Sequence, residues 1–372
     1  MRPVGMLDLR AEHERIAGAL RAAIDDVLAS QAFINGPAVA ALEDDVSSRV
    51  GVRHAVAVSS GTDALLCTLM ALGIGPGDEV IVPTFTFFAT AGCVARVGAK
   101  PVFVDIDART FNIDPDRVEA AITDRTRAII AVHLFGQCAE MDAIRRVADR
   151  RDLPVIEDAA QAIDARYDGR QACALGHVAC VSFYPTKNLA GIGEGGMILT
   201  DDADLADLAR QLRQHGESDR YIHARVGGNF RLDTLKAAVL RVKLGQLDEL
   251  TARRQHNANA YSKRLAGTPV TTPYVGDRQV CVFHQYSILC DRRDELRAYL
   301  ADRKVASGVY YPKPLHLQPC FAALGYGVGD MPAAERTCAR ILSLPCHPML
   351  TDTDIEYVVS CVKDFYAGHA RR

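Results

Sequence analysis

Lys187 has the most specific chemical setting in this sequence. It stands in Ser182-Phe183-Tyr184-Pro185-Thr186-Lys187-Asn188, directly after the β-branched run at 178–183. Pro185 ends a strand there, and glycines at 191, 193, 195 and 196 let the backbone pass close to a bound ring. An amine on such a loop can condense with an aldehyde, and surroundings of low polarity bring it toward its nucleophilic form. A solvated surface lysine is the other reading. Asp158 follows the apolar run at 153–156, inside the protein or at a sheet edge, so its carboxylate needs a partner. A protonated pyridine nitrogen is a suitable one, because the ion pair keeps the ring cationic and electron-accepting. A cap on the Ala159-Ala160 turn satisfies the same carboxylate. Ser60-Gly61-Thr62 leads from a strand into a helix expected at 63–72, where a helix N-terminus welcomes a phosphate and where Ser and Thr also serve as ordinary caps.

These residues have to be positioned by the elements around them. Short β-branched runs at 54–58, 79–82, 101–105, 128–133, 154–157 and 178–183 alternate with helical patterns, which implies a largely parallel sheet covered on both faces. In such a sheet ligands bind beyond the carboxyl ends of the strands. Five of those ends carry reactive or polar candidates: residues 59–63, Thr84 to Phe88, His133, Glu157-Asp158 with Gln161, and Ser182 with Lys187. Before the first strand, apolar spacing predicts a helix over 12–28, and Gly36-Pro37 and Gly51 bracket a second. A helical stretch over 235–250 precedes a charged run at 251–255. That run divides a large domain, 1–250, from a smaller α+β domain, 251–372, with a strand at 282–289, a helix at 293–303 and proline-rich loops at 311–319 and 344–348.

Composition removes several function classes. The chain has 372 residues, 49% of them hydrophobic and 24% charged, with a net charge of -3, so it carries neither the bias of a disordered chain nor the basic surface of a nucleic-acid binder. Its apolar runs are far shorter than a membrane helix, and the first ten residues, with Asp8 and Arg10, do not read as a signal peptide. A cytoplasmic protein is expected. The eleven cysteines are scattered without Cys-x-x-Cys spacing and the eleven histidines form no ligand motif, so reduced core cysteines and no metal are expected.

Taken together, the segments Ser60-Gly61-Thr62-Asp63-Ala64-Leu65, Pro83-Thr84-Phe85-Thr86-Phe87-Phe88-Ala89-Thr90, Val104-Asp105-Ile106-Asp107, Ile156-Glu157-Asp158-Ala159-Ala160-Gln161 and Ser182 to Leu189 resemble the sugar aminotransferases of the DegT/DnrJ/EryC1/StrS family. The likeness continues through Gly228-Asn229-Phe230-Arg231-Leu232-Asp233, His316-Leu317-Gln318-Pro319 and Leu344-Pro345-Cys346-His347-Pro348, and covers nearly the whole chain. The resemblance implies the type I aminotransferase fold, with the large domain holding pyridoxal 5'-phosphate. It implies that Lys187 joins the cofactor covalently and that Asp158 pairs with the pyridine nitrogen. Gln161 lies near the ring hydroxyl, Phe87 stacks on the ring, and Gly61, Thr62 and Ser182 hold the phosphate. Asn229 reaches the phosphate from the other subunit, which makes a homodimer with shared sites.

The resemblance further implies transfer of an amino group from an amino-acid donor, L-glutamate, to a nucleotide-linked keto-sugar. The segments around Asn229 and Gln285 are closer to enzymes acting at C3 of the sugar, with a 4-keto sugar as the alternative. Tyr310-Tyr311-Pro312 departs from the His-Tyr-Pro of uronate enzymes, which favours a neutral sugar. Arg231, Tyr311, Lys313 and His316 are the expected substrate contacts. From the residues alone Asn229 also reads as a turn residue, Arg231 as an ion-pair partner of Asp233, and Lys313 as a solvated lysine. Two rivals stand beside this reading: the sugar dehydratase branch, which has histidine where this chain has Lys187, and a non-catalytic regulator that keeps the fold.

Overall fold

The computed structural model describes residues 3–369. Its centre is a seven-stranded sheet whose strands lie, from edge to edge, in the order His54–Val58, Gly196–Thr200, Val178–Ser182, Val155–Asp158, Thr126–Val132, Glu79–Pro83, Lys100–Val104. Every pairing is parallel except those of Gly196–Thr200, which runs antiparallel to both neighbours. This strand was not expected, because its glycine-rich approach reads as loop.

The strands are apolar on both sides because both sides are covered. Along Thr126–Val132, Ile129 and Ala131 enter one core cluster, while Ala128, Ile130 and Val132 enter the other. Such two-sided burial turns period-2 alternation into a continuous hydrophobic run. The first face is covered by helices Pro37–Val50 and Met141–Asp149, the second by Gly61–Ala71 and Ala203–Leu212. The opening helix Leu9–Ser30 starts where Asp8 accepts the Ala11 N–H, and Gly51 ends the second helix in the left-handed region.

The expected helix over 235–250 is two helices, Thr234–Leu244 and Leu247–Leu265, separated at Gly245-Gln246. The charged run at 251–255 is helical, so the boundary expected at 250 falls inside the second of them. That helix serves two cores: Leu247 packs with the sheet, and Ala258, Tyr261 and Leu265 pack in a third cluster. The third cluster lies between this helix, the antiparallel pair Tyr286–Leu289 and Ile341–Leu344, and helices Arg293–Asp302 and Asp352–His369.

The strand expected at 282–289 is shorter than its apolar pattern because its first residues bond elsewhere. The Val282 N–H donates to the Gly136 carbonyl, and the Val282 carbonyl accepts the Asn188 amide. This ties the smaller core to the edge of the sheet and sets His284 and Gln285 facing the lysine loop. At the other end of the chain, Val4 bonds Lys304 and Ala306, which lays Met6 and Leu7 over the same region. Among the described residues no helix is long and apolar enough to cross a membrane, and ten of the eleven cysteines are buried, Cys320 being the exposed one.

Candidate active site

The carboxyl ends of the strands open into a cavity of about 560 Å³ lined by Gly61, Thr62, Phe87, Asp158, Gln161, Ser182, Lys187 and Tyr311. One end of it is a junction of three backbones. Val58 and Ser182 both pair with Gly196, which brings the turn after the first strand against Ser182. At Gly196 a Cβ would lie 2.4 Å from the Ser60 carbonyl carbon, and at Gly61 it would lie 2.6 Å from the Ser182 Cβ. Both positions therefore demand glycine by proximity. Ser60 caps the helix by accepting the Asp63 N–H at 3.0 Å. The N–H groups of Gly61 and Thr62, on the cavity wall, have no acceptor among the described residues. Unpaired amides at a helix N-terminus, with the Ser182 hydroxyl beside them, suit a phosphate. Cap and phosphate cup are thus the same structure.

Asp158 ends its strand buried, between Val132 and Cys180 in the sheet register. One carboxylate oxygen accepts the Thr90 hydroxyl at 2.8 Å and the other accepts the Ala160 N–H at 3.3 Å. Burial pushes its carboxyl above the usual range, opposed by those two hydrogen bonds and by the charge of Lys187. Among the described residues the carboxylate thus has no counter-ion bonded to it, and it lines the cavity, as a residue suited to a protonated ring nitrogen would. Lys187 lines the same cavity, and desolvation brings its ammonium down to about 8 against the opposing pull of Asp158.

Gln161 is fixed by accepting the Phe135 N–H at 2.7 Å, which turns its amide nitrogen toward the Tyr311 hydroxyl at 3.4 Å. Phe87 is 57% exposed, with its ring 6.3 Å from that of Tyr311, so one aromatic face is open to the cavity. A flat cofactor with a phosphate at one end and a basic ring nitrogen at the other fits these residues.

The other expected residues lie elsewhere. Asn229 is exposed and does not line the cavity, although its backbone bridges to Gln214. Arg231 bridges to Val58 through its backbone, its buried Nε has no partner among the described residues, and it is Lys236 that pairs with Asp233, at 3.0 Å. Lys313 is exposed on its loop. His316 is buried away from the cavity, with Nδ1 2.7 Å from the Thr84 hydroxyl and Nε2 3.3 Å from Glu335. It fastens the proline-rich loop to a strand end, with no ring nitrogen left for a substrate. His133 is likewise structural, held between Glu157 at 2.8 Å and the Ala139 N–H at 3.1 Å.

Thr86, within the expected strand end at 84–88, lines the cavity, and residues not expected there are Tyr184, Glu194, Arg254, His284 and Gln285. Thr90, behind Asp158, was also passed over. Thr90 had a readable signal, since it stands one helical turn after Thr86 at a strand end. Arg254 and His284 had none, because nothing local says that they fold back onto Lys187.

Comparison with known proteins agrees with this geometry. The model of the DegT/DnrJ/EryC1/StrS aminotransferase family matches residues 14–363. A pleiotropic regulatory protein of Geobacillus stearothermophilus is 49% identical over 99% of this chain and 100% of its own. The UDP-2-acetamido-2-deoxy-3-oxo-D-glucuronate aminotransferase of Pseudomonas aeruginosa is 44% identical over 96% of this chain and 99% of its own. Among solved structures, DesV of S. venezuelae in complex with a ketimine intermediate superposes with a TM-score of 0.96 at 42% identity, covering 98% of this chain and 99% of that one. NtdA of Bacillus subtilis with bound cofactor PMP gives 0.88 at 31% identity, over 98% of this chain and 86% of that one. With a type I fold, a cavity shaped for pyridoxal phosphate and relatives matched end to end, the chain belongs to the DegT/DnrJ/EryC1/StrS aminotransferase family and is a sugar aminotransferase that binds pyridoxal 5'-phosphate.

Proposed function

We propose that the chain transfers the amino group of L-glutamate to a nucleotide-linked 3-keto-hexose, acting as a cytoplasmic homodimer with Lys187 as the covalent anchor of the cofactor. The observation that carries the reading is the convergence of Lys187, Asp158 and the unpaired amides of Gly61 and Thr62 on one cavity. When bound there, pyridoxal phosphate supplies an electrophilic carbon and an electron-accepting ring. Asp158 would hold the proton on the ring nitrogen, Gln161 and Tyr311 would bound the site beside it, and Phe87 would supply an apolar face that excludes water. Gly61, Thr62 and Ser182 take the phosphate. Lys187 would hold the cofactor covalently and would serve as the base that moves the donor's α-proton, and desolvation already lowers its ammonium to about 8.

The C3 assignment rests on the segments around Asn229 and Gln285, and a relative named as a 3-oxo-glucuronate aminotransferase supports it. Tyr310, which lines the cavity, keeps the preference for a neutral sugar, while Arg231 and Lys313 lie off the cavity wall. The homodimer is supported by Asn229, which is exposed, and by the exposed apolar side chains of Phe87, Phe88, Tyr184, Ile192, Tyr221 and Val226. The deciding experiment is single-turnover decay of the pyridoxamine form with matched 3-keto and 4-keto nucleotide sugars, each with and without a C6 carboxylate. Faster decay with the 4-keto compounds overturns the C3 assignment, and a strict need for the carboxylate overturns the neutral sugar.

A further inference from the structure

One cation in the cavity wall is left unused by everything above. Arg254 lies on the helix Leu247–Leu265, lines the cavity and is only 5% exposed. Among the described residues its guanidinium makes a single hydrogen bond, from Nη1 to the Cys346 carbonyl at 3.1 Å, and no carboxylate lies within ion-pair distance. The other buried arginine of comparable size of burden, Arg213, is paired at 2.6 Å with Glu43. Burying a guanidinium unpaired is costly, and anchoring a loop does not require it. Asn257, one helical turn further on, does the same task for the same loop with a neutral amide bonded to the His347 carbonyl at 2.9 Å. Arg254 thus carries a charge that its structural contact does not need.

The surroundings keep that charge in reserve. His284, beside it on the cavity wall, points Nδ1 at the Asn188 amide oxygen at 3.4 Å, and the Asn188 nitrogen is committed to the Val282 carbonyl. Burial, with Lys187 and Arg254 adding to it, holds His284 well below the usual histidine range, so it stays neutral. Gln285 also lines the cavity and brings an uncharged amide. Of the acids on the wall, Asp158 belongs to the cofactor end, and Glu194 is exposed.

We propose that Arg254, on the same cavity wall as Gln285, is the subsite that receives the α-carboxylate of the amino-acid donor. The inference rests on the transamination reading above. It deepens that reading by locating the donor at the wall contributed by the C-terminal third of the chain. A guanidinium meets a carboxylate with paired, charge-assisted hydrogen bonds, and a donor so held has its amine one carbon away, free to be presented to the cofactor's carbon.

The test separates a donor carboxylate from an acidic group on the sugar. Binding of glutarate, which is glutamate without its amine, is measured calorimetrically on the holoenzyme of wild type, Arg254→Gln and Arg254→Lys. Affinity is expected to fall at least tenfold in Arg254→Gln and to be partly restored in Arg254→Lys. The two half-reactions are then followed separately by the cofactor's absorbance. Arg254→Gln is expected to raise the half-saturating L-glutamate concentration at least tenfold, and by at least five times more than it raises that of the keto-sugar. Glutarate binding within twofold of wild type overturns the proposal, and so does a loss confined to the keto-sugar half-reaction. Should Arg254→Gln fail to fold, wild type decides: it must prefer L-glutamate over its α-amide at least tenfold, and equal use of the two overturns the assignment. If another amino acid proves to be the donor, the reading of L-glutamate fails while the α-carboxylate, which every such donor carries, is tested with that amino acid in the same way.

Discussion

The Thr90 hydroxyl donates to Asp158 at 2.8 Å and is itself 3.1 Å from the Thr86 hydroxyl, so the buried carboxylate is oriented by the helix Ala89–Arg96, which follows a strand two places away in the sheet. Thr90→Val removes one hydrogen bond to a charged group without changing side-chain volume much. A loss of about tenfold in transamination is expected, with Thr90→Ser close to wild type. Asp158→Ala, which leaves the ring nitrogen without a partner, should cost on the order of a hundredfold or more while the protein stays folded. Single-turnover rates and thermal melts check both, and an Asp158→Ala rate within a few fold of wild type would reduce Asp158 to a turn cap.

Lys187 sets a pH dependence for loading the cofactor. In the cofactor-free protein desolvation lowers its ammonium to about 8 from 10.5, so the neutral, nucleophilic amine is scarce below that pH and dominant above it. The rate of covalent capture of pyridoxal phosphate should therefore climb with pH and flatten above about 8. Stopped-flow absorbance across the range reads it directly. A profile still rising toward pH 10 would contradict the desolvated setting, and borohydride labelling of a different lysine would remove Lys187 from the role.

The contact between Gly61 and Ser182 gives a steric test of the phosphate cup. A Cβ on residue 61 would meet the Ser182 Cβ at 2.6 Å, so Gly61→Ala must push the helix start away from the strand. The expected cost is about 1–3 kcal/mol of stability together with weaker retention of the cofactor during dialysis. Adding Ser182→Gly relieves the clash and should restore stability more than it restores cofactor retention, because the hydroxyl is gone. Equal recovery of both would mean that Ser182 does not touch the phosphate.

Sharing of the site between subunits is testable by mixing two inactive chains. Lys187→Ala lacks the anchor, and Asn229→Ala is expected to hold the cofactor poorly. If Asn229 serves the partner's cavity, a hybrid dimer of the two has one intact site and regains up to about half of the wild-type activity. Co-expression with two affinity tags isolates the hybrid. No recovery, or a monomer with full cofactor content, removes Asn229 from the shared site.

Much of this site could be read along the chain because it is built at strand ends. Lys187, Asp158 and Gly61 each follow an apolar run, and the parallel order of the sheet brings such ends to one edge. What escaped has physical causes. The strand Gly196–Thr200 hides behind glycines that the close approach to Ser60 requires, so its local pattern is that of a loop. The helix Leu247–Leu265 belongs to two cores at once, so a charged surface stretch reads as a linker. His316 stands in a segment that resembles a substrate loop, yet its ring is consumed by Thr84 and Glu335. Arg254 looks like one more helix arginine until the fold shows that it lacks an acid.

The walls of the cavity run from Met6 to Cys346 in the chain. A ribosome that has delivered the first two hundred residues has already released Lys187 and Asp158, but neither Arg254, His284 nor the tyrosine loop exists yet to shield them. Cofactor arriving at that stage would meet an open trough washed by water. Secure capture therefore waits until the segment up to Cys346 has been made, and a chain truncated before residue 346 should emerge colourless even where its sheet has formed.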